Sequence, residues 1–191
     1  MASKIKAYHY TNLDAIHSML TGSDYHKTGL IPLKRFVRIG YGKDLPKEAY
    51  EEVVEGLLSP KPLSWIKNSN FPVTWESLMH DICFKSSVAL LSFDLTRKDK
   101  AYVVDRAHFE RELYREEAGL GKPTTESMNE AVKKLWESRV PVFDYSQDKM
   151  NYSLPQLAIW SPISCRRLNL EWVAKTHDVW KQVLKETNRQ V

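Results

Sequence analysis

Ile5-Lys6-Ala7-Tyr8-His9-Tyr10-Thr11, followed by Gly29-Leu30-Ile31-Pro32, is the stretch on which the reading of this chain turns. Ile5 to Tyr10 reads as a short strand. Thr11 has the chemistry of a helix N-cap, with Asp14 three residues later. Leu13, Ile16, Met19 and Leu20 continue at helical spacing, and Gly22 is placed to stop that helix. Where a strand feeds a helix, side chains project into a crevice that often takes a ligand. His9 stands at that place, where an imidazole can donate a hydrogen bond to a ribose hydroxyl or an amide. A histidine packed between Tyr8 and Tyr10 is the other reading. Gly29 can supply a positive φ before the extended Leu30-Ile31-Pro32, which taken alone is a turn and an edge strand.

Working outward, Pro46 can open a second helix, with Tyr50, Val53, Val54, Leu57 and Leu58 as its apolar stripe. Glu48, Glu51, Glu52 and Glu55 fall elsewhere on it, and Gly56 weakens its end. Prolines break residues 59 to 71, leaving a short strand at Leu63 to Ile66. Thr74 caps a third helix with Trp75, Leu78, Met79, Ile82 and Cys83 on one face. Val88 to Leu95 is the clearest strand, joined by the charged turn Arg97-Lys98-Asp99-Lys100 to another at Ala101 to Val104. Asp105 can cap a helix carrying Phe109, Leu113 and Tyr114. Thr124 or Thr125 caps one with Met128, Ala131, Val132, Leu135 and Trp136 on one face. Val140 to Phe143, Leu157 to Trp160 and Cys165 to Leu168 read as short strands, and a last helix runs from about Thr176 to Glu186. The expected class is α+β, in one domain over residues 1–191, because no repeat or Gly/Ser linker divides the chain.

Composition narrows the function classes. The chain has 191 residues, 42% of them hydrophobic and 11% aromatic, enough to build a core. No run approaches about 18 apolar residues, so no membrane span is expected. Met1 to Ala7 has no apolar core of a signal peptide, which leaves open only secretion by a route needing none. Cys83 and Cys165 lie far apart, as two reduced thiols of a cytoplasmic protein would. Lysines and arginines number 28 against 24 acids, a net charge of +4 that leans mildly toward anionic partners. No phosphate-binding GxxxxGK[ST] loop and no GxSxG elbow is present. No pair of histidines has metal-ligand spacing, so no metal is expected.

Two further constellations bear on chemistry. Pro62-Leu63-Ser64-Trp65-Ile66 carries a small polar and an aromatic side chain on a short strand before the Trp75-Glu76-Ser77 helix start. Such residues can wall a flat ring system, or simply pack. Lys34, Arg35 and Arg38 are interleaved with Phe36 and Tyr41. Arginines there can grip a pyrophosphate bidentately or a nucleic-acid backbone, and a solvated loop is the plain reading.

Tyr8-His9-Tyr10-Thr11, an amphipathic helix and Gly29-Leu30-Ile31-Pro32 together resemble the opening of the ADP-ribosyltransferase-like proteins. That superfamily includes tRNA 2′-phosphotransferases and DNA-targeting mono-ADP-ribosyltransferase toxins, with many bacterial and phage members. Its first motif is a His on the first core strand, then a helix and a Gly-Leu turn. Its second is a strand with a small polar or aromatic residue, which Leu63-Ser64-Trp65 resembles, and Trp75-Glu76 resembles the pair that opens the next helix in several members. Its third is a strand near the C-terminus whose first residues often hold a Glu. Tyr152 to Trp160, followed by Pro162-Ile163, is similar to it. The likeness covers residues 1 to 35, 62 to 77 and 150 to 168, and residues 85 to 145 add nothing to it.

The resemblance implies a split, strongly bent sheet flanked by helices. It implies NAD as a substrate and transfer of ADP-ribose to a macromolecular acceptor, with nucleic acid slightly ahead of protein. It also implies a partner class, an antitoxin or a host protein in toxin–antitoxin or phage–host conflict. By the same resemblance His9 holds the nicotinamide ribose, with Tyr8 and Thr11 beside it. Ser64 and Trp65 line the ring pocket, and Arg35 or Arg38 meets the phosphates. Gln156 approaches the ribose, and there the chain departs from the pattern: it stands where a catalytic Glu is expected. A carboxylate there would stabilise the oxocarbenium-like charge, and Gln can accept a hydrogen bond but carries no charge. Three readings follow: transfer without the Glu, transfer with another acid, Asp144, Asp148 or Glu171 being nearest in sequence, or binding without catalysis.

Overall fold

Apolar residues that run without interruption mark a strand covered on both faces, and Val88 to Leu95 opens with such a run, Val88 to Leu91, before Phe93 and Leu95 alternate with Ser92 and Asp94. In the computed structural model, which describes residues 4–13, 15–16, 29–32, 34–37, 40–42, 44–60, 87–116 and 118–175, it is the centre of a sheet. In chain order the described strands are β1 (Ile5–Thr11), β2 (Lys34–Arg35), β3 (Glu52–Gly56), β4 (Ser87–Leu95), β5 (Ala101–Asp105), β6 (Val140–Pro141), β7 (Pro155–Ile159) and β8 (Asn169–Lys175). The described helices are α1 (Ala107–Leu113) and α2 (Thr125–Glu137). The class is α+β.

The strands form a three-stranded sheet, β1-β4-β8, and a five-stranded sheet, β2-β3-β7-β5-β6, and every pairing is antiparallel. β1 pairs with β4 from Ile5 opposite Leu95 to Thr11 opposite Ala89. A register shift at Leu90/Leu91 bends the pairing of β4 with β8. Ala7, Leu91 and Phe93 of the first sheet meet Val54, Val103, Leu157 and Ile159 of the second in one buried core. The first sheet touches the second where Tyr8 and Leu57 exchange backbone hydrogen bonds of 2.9 and 2.8 Å. Gly56 lies beside this crossing: a Cβ there would stand 3.3 Å from the Tyr8 carbonyl and 3.4 Å from the Leu157 Cβ.

The other face of the five-stranded sheet is covered by the helices. α2 opens with a capping box, in which the Thr124 hydroxyl accepts from the Ser127 amide and the Ser127 hydroxyl from the Thr124 amide. Its buried stripe is Met128, Ala131, Val132, Leu135 and Trp136, as the spacing predicts. β4 and β5 follow one another in sequence but enter different sheets, so the chain crosses over at Arg97 to Lys100. Arg167 staples that turn, donating to both Asp99 oxygens at 2.8 and 2.7 Å. Burial would raise the Asp99 carboxyl, but the bonds from Arg167 and Thr96 hold it below its ordinary value.

Four expectations are corrected. Thr11 is the last residue of β1, paired with Ala89, and does not cap a helix; the Asn12 side-chain oxygen accepts from the Ala15 amide at 2.7 Å instead. The helix expected after Pro46 is a single 3-10 turn, Lys47–Tyr50, followed by β3, because β-branched Val53 and Val54 pair with neighbouring strands. Cys165–Arg167 is a 3-10 turn capped by Ser164, and the strand begins later, at Asn169. The strand at Val140 stops at Pro141, which has no amide hydrogen to extend the ladder. The expected elements at Leu63 to Ile66, after Thr74 and after Thr176, and the stop at Gly22, lie outside the described residues.

Candidate functional site

Side chains alternate along β7, so Gln156 and Ala158 point away from the core that receives Leu157 and Ile159. The register then sets Val104 of β5 opposite Gln156, and Glu55 of β3 opposite Ala158. α1 and α2 close over this face with Phe109, Leu113 and Leu135. Between sheet and helices lies a cavity of about 520 Å³, within the usual range for small-molecule sites. Phe36, Val53 and Val104 extend its apolar wall, and Arg35, Glu55, Arg106, Tyr114 and Gln156 are its polar groups.

Arg106 organises the polar groups. It stands between β5 and α1, and its backbone is fixed from both sides. Its amide donates to the Leu154 carbonyl at 3.0 Å. The preceding Asp105 is buried and takes three backbone amides, from Ala107 at 3.1 Å, Ser153 at 3.1 Å and Leu154 at 2.9 Å. From that position Arg106 Nη1 donates to Glu55 Oε1 and to Gln156 Oε1, each at 2.9 Å. Its Nε donates to Glu110, one helical turn on. Burial opposes the Arg106 charge, but the Glu55 and Glu110 carboxylates outweigh it and hold the guanidinium above its ordinary pKa. Two carboxylates thus share one guanidinium. Arg35 brings a cation to the cavity from β2, and it is exposed.

Of the residues singled out in the sequence, Arg35 and Gln156 meet in this cavity. His9 is not among its lining residues. It shares the inward face of β1 with Ala7, opposite Leu91, and its Nδ1 lies 2.7 Å from the Glu55 carbonyl oxygen. A carbonyl can only accept, so Nδ1 carries the proton in this contact. Glu55 is thus the link between the two places, its carbonyl toward His9 and its carboxylate toward Arg106. Tyr8 is tied through its backbone to Leu57, with Lys6 5.6 Å from its ring. Thr11 is paired with Ala89. Ser64, Trp65 and Arg38 lie outside the described residues.

The Gly-Leu turn also has a defined partner. Gly29 has φ 99°, and a Cβ there would come within 2.1 Å of the Ile163 carbonyl oxygen. Leu30 and Ile163 exchange backbone hydrogen bonds of 2.9 and 2.8 Å, so Gly29-Leu30 seats on the backbone of residues 163–165. Phe36 and Tyr41 both pack against the small core around Val37 and Trp136. The Phe36 ring lies 5.8 Å from Trp136 and 5.3 Å from Trp160, which ties it into an aromatic cluster.

Glu55, Arg106 and Glu110 were not reached from the sequence. Reading residues 46 to 58 as a helix puts Glu55 on a solvated acidic face. The one local signal was the i, i+4 spacing of Arg106 and Glu110. Comparison with known protein families, with curated proteins and with solved structures finds no match for this chain. Among the described residues no helix is long and apolar enough to cross a membrane.

Proposed function

We propose that this chain is an ADP-ribosyltransferase-like domain that binds NAD in the cavity over β3, β7 and β5 and transfers ADP-ribose to a macromolecule. One observation carries the reading. Arg35, from the segment after the Gly-Leu turn, and Gln156, from the segment resembling the third motif, line the same cavity. In this reading Arg35 at the exposed side takes the pyrophosphate, since a guanidinium pairs bidentately with phosphate oxygens. Phe109 and Tyr114 bring aromatic side chains to the cavity for a planar ring. Gln156 presents a hydrogen-bonding group to the ribose. Positioning and exclusion of water supply most of the rate effect. The two sheets, three and five strands wide, fit the split sheet that the resemblance implies. Packing of Phe36 and Tyr41 removes the ground for placing nucleic acid ahead of protein, so the acceptor is either. A cytoplasmic site of action goes with this reading.

NAD is expected to raise the melting temperature of the chain. Mass action stabilises a folded protein by about 2.7 kcal/mol at a hundred times the dissociation constant. No shift at millimolar NAD contradicts the reading.

A second reading has its own observation. Gln156 Oε1 already accepts from Arg106, and His9 Nδ1 already meets the Glu55 carbonyl, so both polar groups serve the fold itself. A domain of this type that binds an antitoxin or a host protein without catalysis needs no more. NAD-induced stabilisation with no nicotinamide release from NAD, with or without cell extract as a source of acceptor, favours it.

A further inference from the structure

We propose that Gln156 reads the occupant of the cavity as a hydrogen-bond donor, selecting an uncharged planar ring that bears a carbonyl oxygen, and that Arg106 is the positioning residue that turns its amide that way. This needs the cavity to be a ligand site, as the NAD reading does, but the ligand need not be NAD. Gln156 is only 7% exposed and lines the cavity together with Arg106. A guanidinium can only donate, so the 2.9 Å bond from Arg106 Nη1 fixes which end of the Gln156 amide is the oxygen. Oε1 is thereby occupied. The two hydrogens on Nε2 have no partner among the described residues. A buried amide left in that state is costly, and a ligand oxygen supplies what it lacks.

The walls set the class of ligand. Phe109 and Tyr114 bring aromatic side chains, and Val104, Leu113 and Leu135 apolar surface, to the same hollow. Such walls take a flat ring of low charge. Arg35, the cation for an anionic group, stands at the exposed side. At Gln156 the donor is a neutral amide, and its complement is a carbonyl oxygen. A carboxylate at position 156 would offer only acceptors, so glutamine and glutamate there ask for opposite ligand groups. The carboxamide of a nicotinamide ring and the ring carbonyl of a nucleobase share this chemistry. In NAD the carboxamide ring is joined to a ribose, so one Nε2 hydrogen serves each.

The test measures binding of nicotinamide, uridine and 3-methylpyridine to the whole chain by NMR, following the Gln156 side-chain NH2 signal. Nicotinamide or uridine is expected to bind about tenfold more tightly than 3-methylpyridine and to move that signal, because a ring without a carbonyl leaves the buried donors unpaired. Gln156→Glu puts acceptors where the donors stood, and is expected to weaken the carbonyl ligand about tenfold and 3-methylpyridine less than threefold. Arg106→Lys keeps a cation but loses the fixed grip on Oε1. It is expected to bring the two affinities within threefold of each other, whereas a merely structural role would weaken both ligands alike. Where Arg106→Lys does not fold, the wild-type ratio and Gln156→Glu decide. A wild-type chain that binds neither nicotinamide nor uridine, or binds 3-methylpyridine within threefold of both, overturns the role of Gln156. So does a Gln156→Glu chain that binds the carbonyl ligand as wild type does. NAD that still raises the melting temperature in those cases leaves the NAD reading standing. Uridine bound through Gln156, with no effect of NAD, overturns the NAD reading and leaves this one.

Discussion

On the inner face of the five-stranded sheet, Val54, Val103, Leu157 and Ile159 meet Ala7, Leu91 and Phe93 in an apolar contact, at whose side His9 bonds the Glu55 carbonyl. On the outer face of the same strands, Glu55 and Gln156 stand beside Val53, Val104 and Ala158 and face a cavity. The inner face is stabilised by removing hydrocarbon from water and by close packing. The outer face leaves space, and over it gathers Arg35, Arg106, Glu55 and Gln156, with Glu110 bonded to Arg106. Such a cluster is costly to desolvate and adds little net stability over apolar packing. A sheet that closes one face tightly and keeps charges over a hollow on the other has put stability and chemistry on opposite sides of the same strands.

That contrast can be broken from either side. Phe93 is fully buried between the sheets, and Phe93→Ala is expected to cost about 3–5 kcal/mol in denaturant unfolding, the usual range for a deleted core phenyl ring. A cost under about 1 kcal/mol would mean that the inner face is not the main source of stability. Arg106→Met is expected to cost less, about 2–4 kcal/mol, since Glu55 and Glu110 lose the cation they share but the Arg106 side chain keeps 26% of its surface in contact with solvent. A cost under about 1 kcal/mol would show that Glu55 and Glu110 do not depend on the Arg106 charge.

Legibility in the sequence followed the same division. β4 and α2 were readable because each carries its whole pattern locally, a largely apolar run in one and a capped stripe at helical spacing in the other. β3 was not, since Val53, Val54 and Leu57 fit a helical stripe as well as a strand, and the partners that decide it, Tyr8, Leu157 and Ile159, lie far away in sequence. β8 escaped notice for a related reason. Leu170 and Val173 are exposed on it, and only pairing with β4 makes it a strand. At the site, Gln156 came from the resemblance and Arg35 from the basic cluster that follows the Gly-Leu turn. Glu55 and Arg106 are 51 positions apart, and no local spacing announces a contact of that range.

The central claim is that the hollow over β3, β7 and β5 is where NAD binds, and the most direct measurement is a titration with NAD followed by backbone amide shifts in NMR. The account predicts that the shifts gather at Arg35, Glu55, Arg106, Gln156 and Ala158, while Ala7, Leu91 and Phe93 in the inter-sheet core stay in place. Shifts confined to β1 and the inter-sheet core, or none at saturating NAD, would contradict it.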